Sequence, residues 1–380
     1  MQLQRRSVGR AVAACVIVAV AVVAAMTPAV RAAPARWSQC GVWQHVAPPH
    51  TVYGFPRDIE VVSPSEAWFV GWDGFASGHP VMRHWRGLRW EREPFPTPAG
   101  HRDDVDVADL TVTSSGAVWA VGHVDRIAGD GVGLRPMSAR WTGTRWVRVR
   151  VGIPRQASFN AVAAVPGTDR LWAVGTYGVS TWGVGGNGTF VARWNGDHWH
   201  RVPSPSPGTE SHFMDVVVVR HRVWAVGSFR RSGVRTTLAA RWNGHRWKVS
   251  PGTRGDLQAV DGMRRDAVWA VGPGKDVEPQ RALLRRWDGA SWTTIRRLRE
   301  PSALLDTEVV SPTDAWAVGY RGGFPYRPLI MRRHGGSWRA TRAPDTTGRL
   351  WALSGTPHNL WALRWYVVGD SGRLDTYHWC

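Results

Sequence analysis

One four-residue phrase recurs seven times in this chain, and a recurrence at a nearly fixed interval restricts the fold more than any single motif does. It reads Trp68-Phe-Val-Gly71, Trp119-Ala-Val-Gly122, Trp172-Ala-Val-Gly175, Trp224-Ala-Val-Gly227, Trp269-Ala-Val-Gly272 and Trp316-Ala-Val-Gly319, with a degraded seventh copy, Trp361-Ala-Leu-Arg364. Successive copies are separated by 51, 53, 52, 45, 47 and 45 residues. A period of this size marks an array of like supersecondary units, each too small to bury its own apolar face and each completed by its neighbour.

A second phrase follows within each unit: Trp85-Arg-Gly-Leu-Arg-Trp90, Trp141-Thr-Gly-Thr-Arg-Trp146, Trp194-Asn-Gly-Asp-His-Trp199, Trp242-Asn-Gly-His-Arg-Trp247, Trp287-Asp-Gly-Ala-Ser-Trp292, and the shortened His334-Gly-Gly-Ser-Trp338. Asn-Gly and Asp-Gly between apolar runs mark tight hairpins, because the central turn positions take positive φ. A β-prone run such as Ile59-Glu-Val-Val62, Asp215-Val-Val-Val-Val219 or Asp306-Thr-Glu-Val-Val310 precedes each first phrase. Each unit thus reads as four strands, and seven such units predict an all-β, seven-bladed β-propeller with four antiparallel strands per blade. A two-sheet sandwich would not place the same tryptophans in every unit. Of the 25 tryptophans, 20 sit on repeat positions, where large flat rings would fill the wedge between adjacent sheets. The glycine closing the phrase is expected to let the second strand bend into its loop.

The seventh unit stops at Tyr377-His378-Trp379-Cys380, where every other unit starts its hairpin. Its missing fourth strand is supplied by Trp43-Gln-His-Val46, which matches the Trp-x-x-Val ending of other units, so the last blade comprises residues 349–380 plus 36–48. Cys40 and Cys380 then flank the place of the absent turn, and a disulfide between them is expected. Residues 1–32 read as a signal peptide: Arg5, Arg6 and Arg10 precede a 16-residue apolar run, Ala11 to Met26, with Pro28 and small residues after it. Sixteen residues fall short of the roughly 20 of a membrane-spanning helix. Residues 33–380 are the propeller domain, secreted or extracytoplasmic, with no transmembrane anchor in its mature form. Cleavage after Ala32 removes four arginines and no acid, leaving 44 basic against 29 acidic side chains, a change from +19 to +15.

Trp-Ala-Val-Gly, Arg-Trp-Asn-Gly-x-x-Trp and Val-Pro-Ser-Pro, best displayed between Trp172 and Pro205, resemble the tandem repeat of exported bacterial β-propeller proteins. The resemblance covers nearly all of residues 36–380. It implies a propeller outside the cytoplasm and carries no assigned chemistry. The WD40 signature and the double-glycine kelch pattern are both missing.

Aligned on the end of the first strand, Asp58, Asp109, Asp215, Asp256 and Asp306 occupy equivalent positions, with Ala161 and Arg349 in the other two units. First strands line a propeller's channel, so these carboxylates would form an acidic ring suited to a hard cation such as Ca²⁺, or would brace neighbouring blades by accepting backbone N–H bonds. No other cofactor is predicted. Trp72, Trp182 and Trp365 follow the second strand in the most variable loops, and with Tyr320, Tyr326 and Tyr366 they would offer stacking surfaces on one face. Arginine outnumbers lysine 46 to 2, and Arg145, Arg148, Arg150, Arg241, Arg246, Arg285, Arg286, Arg332 and Arg333 fall on or beside the outer strands, a basic rim suited to polyanions but not to specific nucleic-acid reading. His198-x-His200 places two imidazoles on one strand face without a third ligand. No nucleophile-elbow, zincin, Walker or dinucleotide motif occurs, so no catalytic residue is assigned. The chain reads as an exported, monomeric binding or scaffolding module for a glycan, cell-wall polymer or protein, using its variable-loop face. An extracytoplasmic carbohydrate-active enzyme with channel-mouth carboxylates, and polyanion binding at the rim, are the alternatives.

Overall fold

Seven antiparallel sheets follow one another around a ring in the computed structural model, which describes residues 40–48, 51–73, 79–97, 103–128, 131–153, 156–178, 188–274 and 280–380. The expected signal peptide, residues 1–32, lies outside the described residues, and so does Trp182. The described residues belong to one unit, Pro34–Cys380, and no helix occurs among them. Blade 1 comprises Phe55–Ser63, Glu66–Trp72, Pro80–Trp85 and Trp90–Arg92. Blade 2 comprises Asp103–Val112, Val118–Ala128, Gly131–Trp141 and Trp146–Val149; blade 3, Ala157–Ala164, Leu171–Tyr177, Gly188–Trp194 and Trp199–Arg201. Blade 4 holds Thr209–Val219, Arg222–Arg231, Val234–Trp242 and Trp247–Val249, and blade 5 holds Ala259–Arg264, Ala267–Pro273, Ala282–Trp287 and Trp292–Arg297. Blade 6 is Ser302–Glu308, Asp314–Arg321, Arg327–His334 and Ser337–Thr341.

Blade 7 takes Arg349–Thr356, Asn359–Val368 and Ser371–Trp379 from the end of the chain and Trp43–Val46 from its start. Trp43 pairs with Trp379 and Val46 with Thr376, and a two-residue strand, Val52–Tyr53, pairs farther along the same third strand. The Cys40–Cys380 disulfide, with Cα atoms 4.8 Å apart, joins the two ends where the other blades have a turn. Gly41 N–H donates to the Cys380 carbonyl across the junction at 3.1 Å.

Packing between blades rests on the repeated tryptophans. Each second-strand tryptophan is almost fully buried and meets the pair flanking the outer hairpin of the next blade. Trp68 lies 4.8 and 5.3 Å from Trp141 and Trp146 between ring centroids, Trp119 lies 5.0 Å from Trp194, and Trp361 closes the circle at 5.0 and 5.2 Å from Trp85 and Trp90. Mixed edge-on and tilted geometries at these spacings suit the aromatic quadrupole. In blade 6 the hairpin has lost its first tryptophan. Arg333 occupies that register position, opposite Trp338, and sets its guanidinium 5.3 Å from the Trp269 ring.

The glycine of the phrase has a different reason from the one the sequence suggested. A β-bulge in the first strand of blades 1, 2, 3, 4 and 6 brings a carbonyl of that strand onto the glycine. A Cβ at Gly122, Gly175, Gly227 or Gly319 would stand 2.0 to 2.1 Å from a backbone oxygen, closer than any real contact. The requirement is close approach of backbone. In blade 7 the register shift falls at the same place, between Leu350 and Ala352, with Leu350 opposite Arg364, yet the position carries an arginine.

Candidate functional site

The first strands line the channel, and their register defines its levels. The residue opposite the valine of the phrase is Asp58, Asp109, Ala161, Asp215, Ala259 and Asp306 in blades 1 to 6; in blade 7 Ala352 stands opposite Leu363. Four of the five predicted aspartates therefore share one level. Asp256 does not: the first strand of blade 5 runs on to Arg264 instead of ending at Val260, so Asp256 lies three residues before the ring position, as Arg349 does in blade 7.

The ring carboxylates reach from one blade to the next. Asp58 accepts the Leu110 N–H at 3.0 Å, Asp109 the Val162 N–H, Asp215 the Val260 N–H and Asp306 the Leu353 N–H, the last three at 2.6 Å. The other oxygens of Asp109, Asp215 and Asp306 accept the N–H of the following residue. Two residues deeper the pattern repeats with other side chains: Glu60 bonds the Val112 backbone, Thr111 accepts the Ala164 N–H, Asp261 the Val309 N–H and Ser354 the Val61 N–H. Where blade 3 carries alanine at both levels, Asn160 donates to the Phe213 carbonyl at 2.7 Å. Every junction of the ring thus has at least one such bond. Burial pushes these carboxyls up, to about 6 for Asp109 and Asp261, about 7 for Asp306 and about 8 for Glu60. Asp58, Asp215 and Glu308 are raised well above the usual carboxylate range, again by burial first and by neighbouring carboxylates second. Among the described residues no group of three or more His, Cys, Asp or Glu side chains is placed to hold a metal ion.

A cavity of about 300 Å³ sits above this ring, at the end of the channel where the first strands begin. The ring residues form its floor, and Arg57, Asp106, His123, Asn160, Met214, Gln258 and Trp351 contribute to its wall. Because the strands are antiparallel, the loops between second and third strands emerge at this same end.

Four of the predicted aromatics, Trp72, Tyr320, Tyr326 and Trp365, come together here. Trp72, Tyr320 and Trp365 each follow the phrase directly, in three consecutive blades, and pair in register with Phe55, Ala303 and Arg349 of the adjoining first strands. Contacts join them into a continuous run. Phe324, 71% exposed at the tip of the blade 6 loop, lies 6.0 Å from Tyr326, and Tyr326 lies 4.7 Å from Tyr320. The Arg349 guanidinium stands 3.6 Å from the Tyr326 centroid, 4.6 Å from Tyr320 and 5.5 Å from Trp365. Phe55 stacks 6.2 Å from Trp365 and 6.1 Å from Trp72, and Arg57 at the cavity wall lies 5.9 Å from Trp72. Tyr320 is buried, its hydroxyl donating to Gln280 at 3.1 Å, so it supports the run from below. Tyr366 stands apart from this run, 4.2 Å from the Arg364 guanidinium.

On blades 4 and 5 the same end of the ring is ionic. Arg230 pairs with Glu210 at 2.8 Å, and Arg235 with Asp256 at 3.4 Å, with His212 beside that carboxylate. Several arginines expected at a basic rim are packed on rings instead: Arg332 lies 4.6 Å from Trp316 and is paired to Asp314, Arg286 lies 5.7 Å from Trp269, and Arg285 is buried. Arg145, Arg148, Arg150 and Arg246 remain exposed. His198 and His200 face each other at 3.9 Å, bonded to Asp197 and Asn195. Sequence reasoning missed Phe55, Arg57 and Arg349; it placed Arg349 on the ring level, and only the strand register separates the two positions.

No protein-family model matches the chain, and no curated protein does. Among solved structures, it is similar to a protein of unknown function from Dyadobacter fermentans, with a TM-score of 0.53 and 12% identity over 90% of this chain and 98% of that one. It is also similar to an ulvan lyase of polysaccharide lyase family PL25, solved bound to a -[GlcA(1-4)Rha3S]- saccharide, with a TM-score of 0.61 and 11% identity over 87% of this chain and 95% of that one. These likenesses establish the propeller fold.

Proposed function

We propose that this protein is an exported, saccharide-binding propeller whose site is the loop-face mouth of its channel. The observation that carries the reading is the aromatic run from Phe324 to Trp72, drawn from three adjacent blades and ending beside Arg57 of the cavity wall. Flat rings beside a concave, partly polar cavity suit the apolar faces of sugars, with hydrogen-bonding groups close by to fix orientation. The ring carboxylates favour binding over acid–base chemistry and over a cation cage. Both oxygens of Asp306 accept backbone N–H bonds and Asp58 accepts one from blade 2, so these groups act as braces between blades. Extracytoplasmic residence is supported by the Cys40–Cys380 disulfide, since such bridges persist in oxidising compartments. No helix among the described residues is long and apolar enough to cross a membrane. Similarity of fold to a polysaccharide lyase is compatible with a saccharide ligand.

The test is a glycan and cell-wall-fraction array on the mature, disulfide-bonded protein, repeated with Trp72→Ala and Phe324→Ala. Binding that weakens at least about tenfold in both variants, with unchanged thermal midpoints, is the expected outcome. Binding indifferent to both variants but lost in high salt would move the site to the exposed rim arginines.

A further inference from the structure

The arginines around the mouth are not equivalent. Arg57 makes a two-pronged bond to Asp106 at 2.8 and 2.6 Å, Arg230 pairs with Glu210, and Arg235 with Asp256. Arg349 has no carboxylate within 4.0 Å among the described residues, and its Nε is buried without a hydrogen-bond partner. Three aromatic rings surround its guanidinium. One of them, Tyr320, is itself fixed by the bond to Gln280.

We propose that Arg349 is the anion-recognising group of this site, and that its ligand is an acidic oligosaccharide bearing carboxylate or sulfate groups. The proposal rests on the saccharide-binding reading and specifies its chemistry. A partly buried cation without a counter-charge is costly to keep; it is accommodated where the counter-charge arrives with the ligand. Rings held against a guanidinium occupy its faces and leave its in-plane N–H groups for a planar carboxylate or a sulfate oxygen pair, the geometry that lysine cannot reproduce. The stacked position also fixes the side chain in advance, so little rotamer freedom remains to be lost on binding. Trp365 and Phe55, next along the run, supply the surface for the sugar ring that carries the anion.

The experiment uses the full disulfide-bonded protein and a panel of oligouronates and sulfated oligosaccharides, each beside its methyl-esterified or desulfated counterpart, with calorimetry as the readout. The wild-type protein binds an acidic member at least about tenfold more tightly than its neutral counterpart. Arg349→Gln removes that difference and leaves the neutral ligand within about twofold, and Arg349→Lys restores only part of it. Circular dichroism and the thermal midpoint establish that each variant is folded. Equal binding of acidic and neutral partners by the wild type, lost in Trp72→Ala, overturns the role of Arg349 and leaves the saccharide site standing. A preference for the acidic form that survives in Arg349→Gln assigns it to the net positive charge of the chain and likewise overturns the proposal. Absence of binding to every member overturns both.

Discussion

Replacing Asp215 by alanine separates a brace between blades from a decorative channel carboxylate. Its Oδ2 accepts the Val260 N–H of blade 5 at 2.6 Å and its Oδ1 accepts the Val216 N–H at 2.7 Å. Two residues deeper, where other blades carry a second brace, blade 4 has Val217, so this junction lacks the duplication found between blades 1 and 2. Alanine leaves two backbone N–H groups at the channel wall without their acceptor, at about 1 to 3 kcal/mol each, and the combined cost is about 2 to 4 kcal/mol. Asp58→Ala is the control. The Leu110 N–H that Asp58 accepts is shared with Asp109 Oδ1 at 2.9 Å, and Glu60 still bridges the same two blades, so the expected cost is under about 1 kcal/mol. Urea denaturation followed by tryptophan fluorescence measures both, since the second-strand tryptophans lie at the blade interfaces. Equal costs for the two variants, or less than about 0.5 kcal/mol for Asp215→Ala, would refute the brace.

Stability should fall as pH rises, because the raised folded-state values of the channel carboxyls mean that folding favours their neutral forms. That contribution is fully present below the ordinary carboxylate range and is lost as pH passes about 6 for Asp109 and Asp261, about 7 for Asp306 and about 8 for Glu60. Thermal midpoints between pH 5 and 9 check this, and Glu60→Gln should flatten the upper part of the decline. Gly227→Ala, whose Cβ would stand 2.1 Å from the His212 carbonyl oxygen, should cost more than about 2 kcal/mol. Gly196→Ala, at a turn with φ +112° and open space around it, should cost about 1 kcal/mol. Reduction of the Cys40–Cys380 bridge, or Cys40→Ser with Cys380→Ser, removes a cross-link spanning 340 residues. Chain-entropy reasoning sets a ceiling of about 6 kcal/mol, and the expected loss is about 2 to 4 kcal/mol, read from the denaturation midpoint with and without reductant.

The architecture was legible because its determinants repeat. Seven copies of one phrase average out local ambiguity, and the truncated seventh copy, the unmatched Trp43-Gln-His-Val46 and the two cysteines each point to the same closure. The purpose of the glycine was not legible, since it depends on a bulge in a different strand bringing a carbonyl to within van der Waals range. The ring level was readable in five blades and lost in two. Val260 and Leu353 look like strand ends from their apolar runs, whereas the strands continue to Arg264 and Thr356. A three-residue error in a strand changes both the level of a residue and the face it occupies, which is why Arg349 and Asp256 were aligned with carboxylates they do not accompany. Trp72, Tyr320 and Trp365 were visible as departures from the repeat; that Arg349 links them was not, because cation–aromatic contacts across blades have no spacing in sequence.

Departure from the repeat is also the thread that joins fold to site. Positions that pack between blades are held nearly constant around the ring, since each must fit a neighbour of the same shape. The residue after the phrase points toward the mouth and is free of that demand: it is His123, Thr176, Ser228 and Pro273 in blades 2 to 5, but Tyr320, Trp365 and Trp72 in blades 6, 7 and 1. The aromatic members are contiguous only across the seam where the two chain ends meet. Blade 7 presents Arg349 and Trp365 there, and its phrase ends in Arg364 instead of glycine, the guanidinium turning back onto Thr347 and Asp345. The most irregular blade thus supplies the centre of the proposed site. The disulfide, at the far end of that same blade from the mouth, fixes its outer strand, so opening the latch should weaken ligand binding more than an equally destabilising change in blade 4, and a comparison of reduced protein with Asp215→Ala at matched stability would decide whether the seam serves the site or only the ring.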